Sequence, residues 1–312
     1  MAATDLTAGA QPGPVRLRAE GRRWGELVVK ILLGLCALVS VATTVGIIIA
    51  LVVPTVEFFN EVSILDFFSG DRWAPLFSPA SYGVQPLLVG TLVVTFWACV
   101  VCLPCGLGAA IYMSEYASPR VRNIIKPALE TLAGIPTVVL GFFALTFLTP
   151  NLQDLGLDVG VFNVLAAGLA VGILLIPVVA SISEDAMAAV PQELRDGAYA
   201  LGATRLQVST RIVVPAAISG IVASFVLAIS RAVGETMIVL IAAGGIAQIA
   251  FDPREQAQTM TAFIGATGIG DVATGSIEYK TIFAVGLTLF VITFVMNMVA
   301  IRLVRKYRQI YE

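Results

Sequence analysis

The sequence predicts an all-α, polytopic membrane protein with about six transmembrane helices, and three observations predict it. Of 312 residues, 58% are hydrophobic and 13% charged, with a mean hydropathy of +0.91, whereas about a quarter of the residues of a soluble domain are charged. Six apolar stretches, five of them uncharged, are long enough to cross roughly 30 Å of hydrocarbon, which takes about 20 helical residues. The basic residues collect in alternate connections, as they do where one side of the membrane is the cytoplasm.

The first fifteen residues are rich in Ala, Gly and Pro and lack periodicity, which predicts a disordered tail within a cytoplasmic segment 1–27. Residues 28–312 then form one transmembrane domain. The first span, Ile31–Val53, begins too late and runs too long for a cleaved signal peptide. The connection 54–83 carries Glu57, Phe58, Phe59, Glu61, Asp66, Phe67, Phe68, Asp71 and Trp73. It reads as an external loop with apolar packing, or as a short interfacial helix able to meet an external partner.

The second span, Leu87–Met113, contains Cys99, Cys102 and Cys105, a doubled C-x-x-C. A thiolate metal cluster is not expected there, because it would place negative charge in hydrocarbon and the chain has no histidine to complete a ligand set. Small buried thiols fit the run better. Thr131–Pro150, Val159–Ser183, the long Ile212–Phe251 and Thr281–Ile301 complete the set.

Fifteen of the 19 Lys and Arg fall in the lead-in and in alternate connections: Arg16, Arg18, Arg22, Arg23 and Lys30; Arg120, Arg122 and Lys126; Arg195, Arg205 and Arg211; Arg302, Arg305, Lys306 and Arg308. The other connections hold Arg72, Arg254 and Lys280, so both termini are expected in the cytoplasm.

Two features remain for function. The inward connection 184–215 is predicted to be a helix, a turn at Gly202 and a second short helix reaching Pro215. Pro191 and Glu193 suit a helix start, and Leu194, Ala198 and Leu201 share a face. In the fifth span, Ser230-Arg231-Ala232-Val233-Gly234-Glu235-Thr236 places an arginine and a glutamate in hydrocarbon, at about 2.5–3.5 kcal/mol each on insertion scales. Four residues apart on a continuous helix, Arg231 and Glu235 would share a face and pair, with Ser224 extending it. Such a stripe either fastens helices or lines an anion path. A guanidinium stays charged when partly desolvated and presents a fork to phosphate or sulfate oxygens.

Asp196-Gly197-Ala198, Gly202 after three residues, Ile212 after nine more, and Val214-Pro215 resemble the E-A-A-x3-G-x9-I-x-L-P loop of the permease subunits of bacterial ATP-binding-cassette importers. Asp stands for Glu, Gly for Ala and Val for Leu. Arg231-Ala232-Val233-Gly234-Glu235-Thr236-Met237 and Gly134-Ile135-Pro136-Thr137-Val138-Val139-Leu140-Gly141-Phe142-Phe143 are similar to segments of the phosphate-importer permeases, with Met237 favouring the PstC branch. The match covers roughly residues 131–239.

The resemblance implies a type I importer permease fold and no cofactor. It also implies a homologous permease partner (PstA), two copies of an ATPase (PstB) docked on Asp196, Gly197, Ala198, Gly202, Ile212 and Pro215, and an external phosphate-binding protein (PstS). Arg231, Glu235, Ser230, Thr236 and Ser224 would line the path.

Other classes fit less well. Gly268-Ile269-Gly270-Asp271 matches the G-x-G-D of intramembrane aspartyl proteases, but no second aspartate lies in a span to share a proton. A serine protease lacks its histidine base. With no G-x-x-x-x-G-K-[ST], the chain cannot cradle nucleotide through a P-loop, so ATP hydrolysis would belong to a partner. A net charge of -2 offers nucleic acid no basic face. A secondary carrier could use the same charges for ion coupling, but it has no ATPase for the loop to dock. Sulfate or molybdate importers share the anion chemistry; a protonatable glutamate favours phosphate, which has a proton to donate.

Overall fold

A computed structural model of the chain describes residues 24–307, with side chains to residue 302. The predicted tail with Arg16, Arg18, Arg22 and Arg23, the side chains of Arg305 and Lys306, and Arg308 lie outside the described residues. The chain divides into two compact units at Ile49/Ala50. Within the described residues, four helices are long and apolar enough to cross a membrane, and six spans result if each of two bent pairs counts as one.

Helix α1 (Trp24–Glu61) passes straight through Pro54, where an external loop was expected. Its first part, up to Ile49, is a single apolar helix with side chains such as Leu33 and Val39 exposed, as suits contact with lipid. In the second unit the helix continues because Thr55 and Phe58 are buried there, and this packing outweighs the N–H that proline lacks. Then follow α2 (Ile64–Ser69) and a two-stranded antiparallel hairpin, β1 (Trp73–Ala74) with β2 (Ser81–Tyr82). Phe58, Phe67, Trp73, Tyr82 and Phe263 meet edge to face beneath it. The predicted loop is thus an ordered cap over an aromatic core.

Helix α3 (Gln85–Ile111) starts with Pro86 in its first turn and ends in a π-helical turn, Tyr112–Tyr116. The amphipathic α4 (Pro119–Ala133) is capped by the Ser118 hydroxyl. The third span was expected from Thr131 to Pro150. Instead the chain bends by 90° between α4 and the segment 137–154, made of α5 (Thr137–Phe143), a π turn and α6 (Thr149–Asp154). Pro136 keeps the preceding residue out of helical geometry, so the apolar run starts a new helix rather than extending α4.

Helix α7 (Val164–Ala188) starts later than predicted, because the buried Asn163 caps it, accepting from Ala166 N–H at 2.7 Å. It also runs on past Ser183, absorbing Glu184 and Asp185 from the expected loop. Helices α3 and α7 pack along most of their length: a Cβ on Gly172 would sit 2.8 Å from Val101 Cβ and 2.9 Å from Ala98 O. Small residues give membrane helices this close approach, since water supplies no hydrophobic force between them.

The connection after α7 contains α8 (Gln192–Ala200), a turn at Gly202 (φ +80°), α9 (Arg205–Val208), a π turn at Ser209–Val213 and α10 (Val214–Ala216). The turn needs glycine because its backbone is left-handed. Thr204 and Gln207 form a reciprocal capping box at the start of α9. Next come α11 (Ile218–Val233), bent 71° from the 205–216 segment, α12 (Met237–Ala242), α13 (Met260–Ile269) and α14 (Ile277–Tyr307). The predicted fifth span is therefore not one helix: it breaks at Gly234-Glu235-Thr236 and ends at Ala242. The predicted external loop 252–280 contains α13. A core of mostly small and β-branched side chains from α3, α5, α7, α11 and α12 includes Ala232 and Ile238, on either side of the break.

Candidate functional site

Arg231 lies in the last turn of α11, exposed beside the exposed Leu227 one turn earlier. Among the described residues no hydrogen bond or ion pair engages its guanidinium. The i,i+4 pair with Glu235 expected on a continuous helix does not form. Gly234 caps α11, so Glu235 sits in the break, where its Oε1 accepts from Ile238 N–H at 3.3 Å. A carboxylate there meets the unsatisfied N–H groups and positive end of the following helix. Thr261 anchors the same point, its hydroxyl donating to Glu235 O at 2.6 Å. Thr236 donates to Gly234 O at 3.2 Å.

Ser224 is not beside Arg231 in an exposed stripe. It is fully buried, its hydroxyl 2.8 Å from that of Ser183 on α7 and 2.7 Å from Ile221 O. The two residues share a helical face, but α7 covers it at Ser224. Ser230 donates to Asn297 Oδ1 of α14 at 3.1 Å. Sequence reasoning missed Asn297, whose signal was a lone amide in the last hydrophobic span. Exposed in an apolar helix, it shares with Arg231 the need for something other than lipid.

At the other candidate site, Asp196 Oδ1 accepts from Gln192 at 3.1 Å on the exposed side of α8. Gly197 faces open space, Ala198 is buried, Ile212 is half-buried and Pro215 exposed. Leu201 was expected on the apolar face with Ala198, yet it projects from the turn, 91% exposed, with Leu206 exposed after it. Two ion-pair clusters stand at this end, both unpredicted because each joins residues about 60 to 80 apart. Glu184, fully buried, takes Arg122 and Lys126 of α4, the latter at 3.0 Å. Arg195 of α8 pairs with Glu115 of the π turn at 3.2 Å. Glu184 needs both cations because a buried carboxylate without partners is costly.

Cys102 is buried within α3, with Cys99 half-buried and Cys105 exposed. Among the described residues no group of His, Cys, Asp or Glu side chains could hold a metal ion. Asp271 follows α13 at the edge of an apolar cavity of about 550 Å³ with Trp73, Phe77 and Ile246.

The chain has relatives among known proteins. Residues 103–309 match the family model described as binding-protein-dependent transport system inner membrane component. The chain is 35% identical to a probable ABC transporter permease protein, YqgH, of Bacillus subtilis (88% of this chain, 89% of the relative). It is 30% identical to the phosphate transport system permease protein PstC of Haemophilus influenzae (92% and 95%) and 34% to PstC 1 of Mycobacterium tuberculosis (73% of each). Among solved structures, its fold is similar to a chain of a bacterial alginate ABC transporter (TM-score 0.64, 18% identity, covering 92% of this chain and 98% of that one). It is similar also to the MetNI methionine ABC transporter (TM-score 0.54, 21% identity, 73% and 95%). The chain belongs to the binding-protein-dependent transport system inner membrane component family, and is a multi-pass permease of an ABC importer.

Proposed function

We propose that this permease serves an ATP-driven phosphate importer and that Arg231 stands on the anion path. The observation that carries this reading is the guanidinium itself, held at the end of a broken membrane helix with no carboxylate among the described residues to neutralise it. An unpaired charge is tolerable in a membrane only beside water, a partner subunit or a counter-ion in transit. A guanidinium fork suits a tetrahedral oxyanion. The Ser230 hydroxyl and the Asn297 amide border the same point, and Glu235, one break away, keeps an oxygen able to accept a proton from a protonated phosphate. The phosphate permeases among the relatives point to the same cargo.

The residues proposed for the path are thus Arg231, Glu235, Ser230 and Thr236, with Asn297 added and Ser224 moved to a packing role. The loop of Asp196, Gly197, Ala198, Gly202, Ile212 and Pro215 carries the surface on which a separate ATPase, in two copies, docks: Asp196, Gly197, Gly202 and Pro215 are exposed, and buried Ala198 and half-buried Ile212 pack the loop beneath them. Exposed Leu201 and Leu206 give it apolar knobs. A homologous permease and an external phosphate-binding protein complete the assembly, with both termini, the tail 1–27 and the loop 184–215 cytoplasmic, and 54–83 and 252–280 external.

The test is ATP-dependent uptake of labelled phosphate by the whole complex, with sulfate as competitor, for wild type, Arg231→Gln and the control Arg254→Gln. Loss of uptake in Arg231→Gln alone, in an assembled complex, is expected. Full uptake by that variant would make Arg231 structural, and competition by sulfate would reassign the cargo.

A further inference from the structure

Arg195 belongs to the coupling loop, yet its side chain is only 11% exposed. Its Nη1 donates to Val190 O at 2.6 Å, and its Nη2 to Met187 O at 2.8 Å and to Glu115 Oε1 at 3.2 Å. The two carbonyls lie at the end of α7 and just beyond it. Glu115, 5% exposed, sits in the π turn that ends α3 and is held by the Ser114 hydroxyl at 2.8 Å. One guanidinium therefore joins α8, α7 and α3, a geometry that five N–H groups in a rigid plane can satisfy and a lysine cannot.

Arg205, in the same loop, is exposed and engages no partner among the described residues. Beyond the junction, α3 and α7 are packed to backbone distance at Gly172, so a force delivered to either is borne by both. The buried Ser183–Ser224 pair then ties α7 to α11, and Arg231 lies two turns further along α11.

We propose that Arg195 is a positioning residue for energy coupling, whose pair with Glu115 passes displacement of the coupling loop to α3 and α7. The Ser183–Ser224 contact carries it on to α11 and Arg231. The inference rests on the ATPase-docking reading of the loop, and not on phosphate as cargo.

The test uses the whole importer in proteoliposomes and measures ATP hydrolysed per phosphate ion imported for wild type, Arg195→Gln, Glu115→Gln and the double variant. Each single change is expected to raise ATP consumption per ion about tenfold while the ATPase still co-purifies. The double should match the singles, since groups acting as one unit are non-additive. Arg195→Lys should fall between. If Arg195→Gln does not assemble, the near-isosteric Glu115→Gln carries the test. Wild-type stoichiometry in assembled Glu115→Gln, or effects that multiply in the double, would overturn the proposal. If wild-type vesicles import no phosphate, the cargo assignment alone fails, and the same comparison is read from stimulation of ATP hydrolysis by the substrate-loaded binding protein.

Discussion

Charged side chains within a span and outside it resolve their charge differently. Among the described residues Arg231 has no partner, whereas Arg195, Glu184 and Lys280 are each tied to groups distant in sequence, Lys280 to Glu57 and Glu61 at 3.3 Å. In the 252–254 turn, Arg254 Nε donates to Asp252 Oδ1 at 3.0 Å, and this hydrogen bond holds the Asp252 carboxyl down to about 2. Because the folded value is depressed, the interaction is fully present above the unfolded value of about 3.9 and is lost as pH falls from there through about 2. Selective ¹³C labelling of aspartate should show a carboxyl still ionised at pH 3, and Arg254→Gln should raise its titration point, with the backbone N–H of residue 254 still donating to Oδ1. A carboxyl titrating normally in the wild type would contradict the pair. At this scale Arg231 and Glu235 were legible as costly charges in an apolar run. Their separation was not, because it depends on Glu235 finding the free N–H of α12 instead.

Two of the six predicted spans are interrupted, and each interruption lies beside a candidate site. The 90° bend at Gly134-Ile135-Pro136 frees α4 to meet Glu184. The break at Gly234-Glu235-Thr236 leaves Arg231 at a helix end. Glycine and proline at both points were readable as weak places, but hydropathy windows averaged over them and joined the pieces. The same dependence on contact governs glycines elsewhere. Gly172→Leu should lower stability by about 1–3 kcal/mol or more, since α3 leaves no space for the side chain. Gly108→Leu, whose added Cβ meets nothing within 4 Å, should be close to neutral. Thermal unfolding of the purified chain in lipid nanodiscs would compare them; equal losses would mean that α3 and α7 are not packed as described.

For the whole molecule, the proposed orientation follows from where Lys and Arg collect, and it can be checked directly. With the four native cysteines replaced, Asp271→Cys should react with a membrane-impermeant maleimide on intact cells. Leu201→Cys should react only after lysis, and should be shielded when the ATPase is bound. The reverse pattern would invert the topology. The sequence by itself determined that the chain is a bundle of membrane helices and that residues 196–215 form a helix–turn–helix, because hydropathy, charge and Gly202 act through local backbone and solvent chemistry. Only the tertiary structure decided that Ser224 is a buried pin, that α1 runs past Pro54, and that Glu115 and Glu184 tie Arg195, Arg122 and Lys126 to the ends of α3 and α7. Those outcomes depend on which surfaces meet, and no single segment carries the partner that makes its burial favourable.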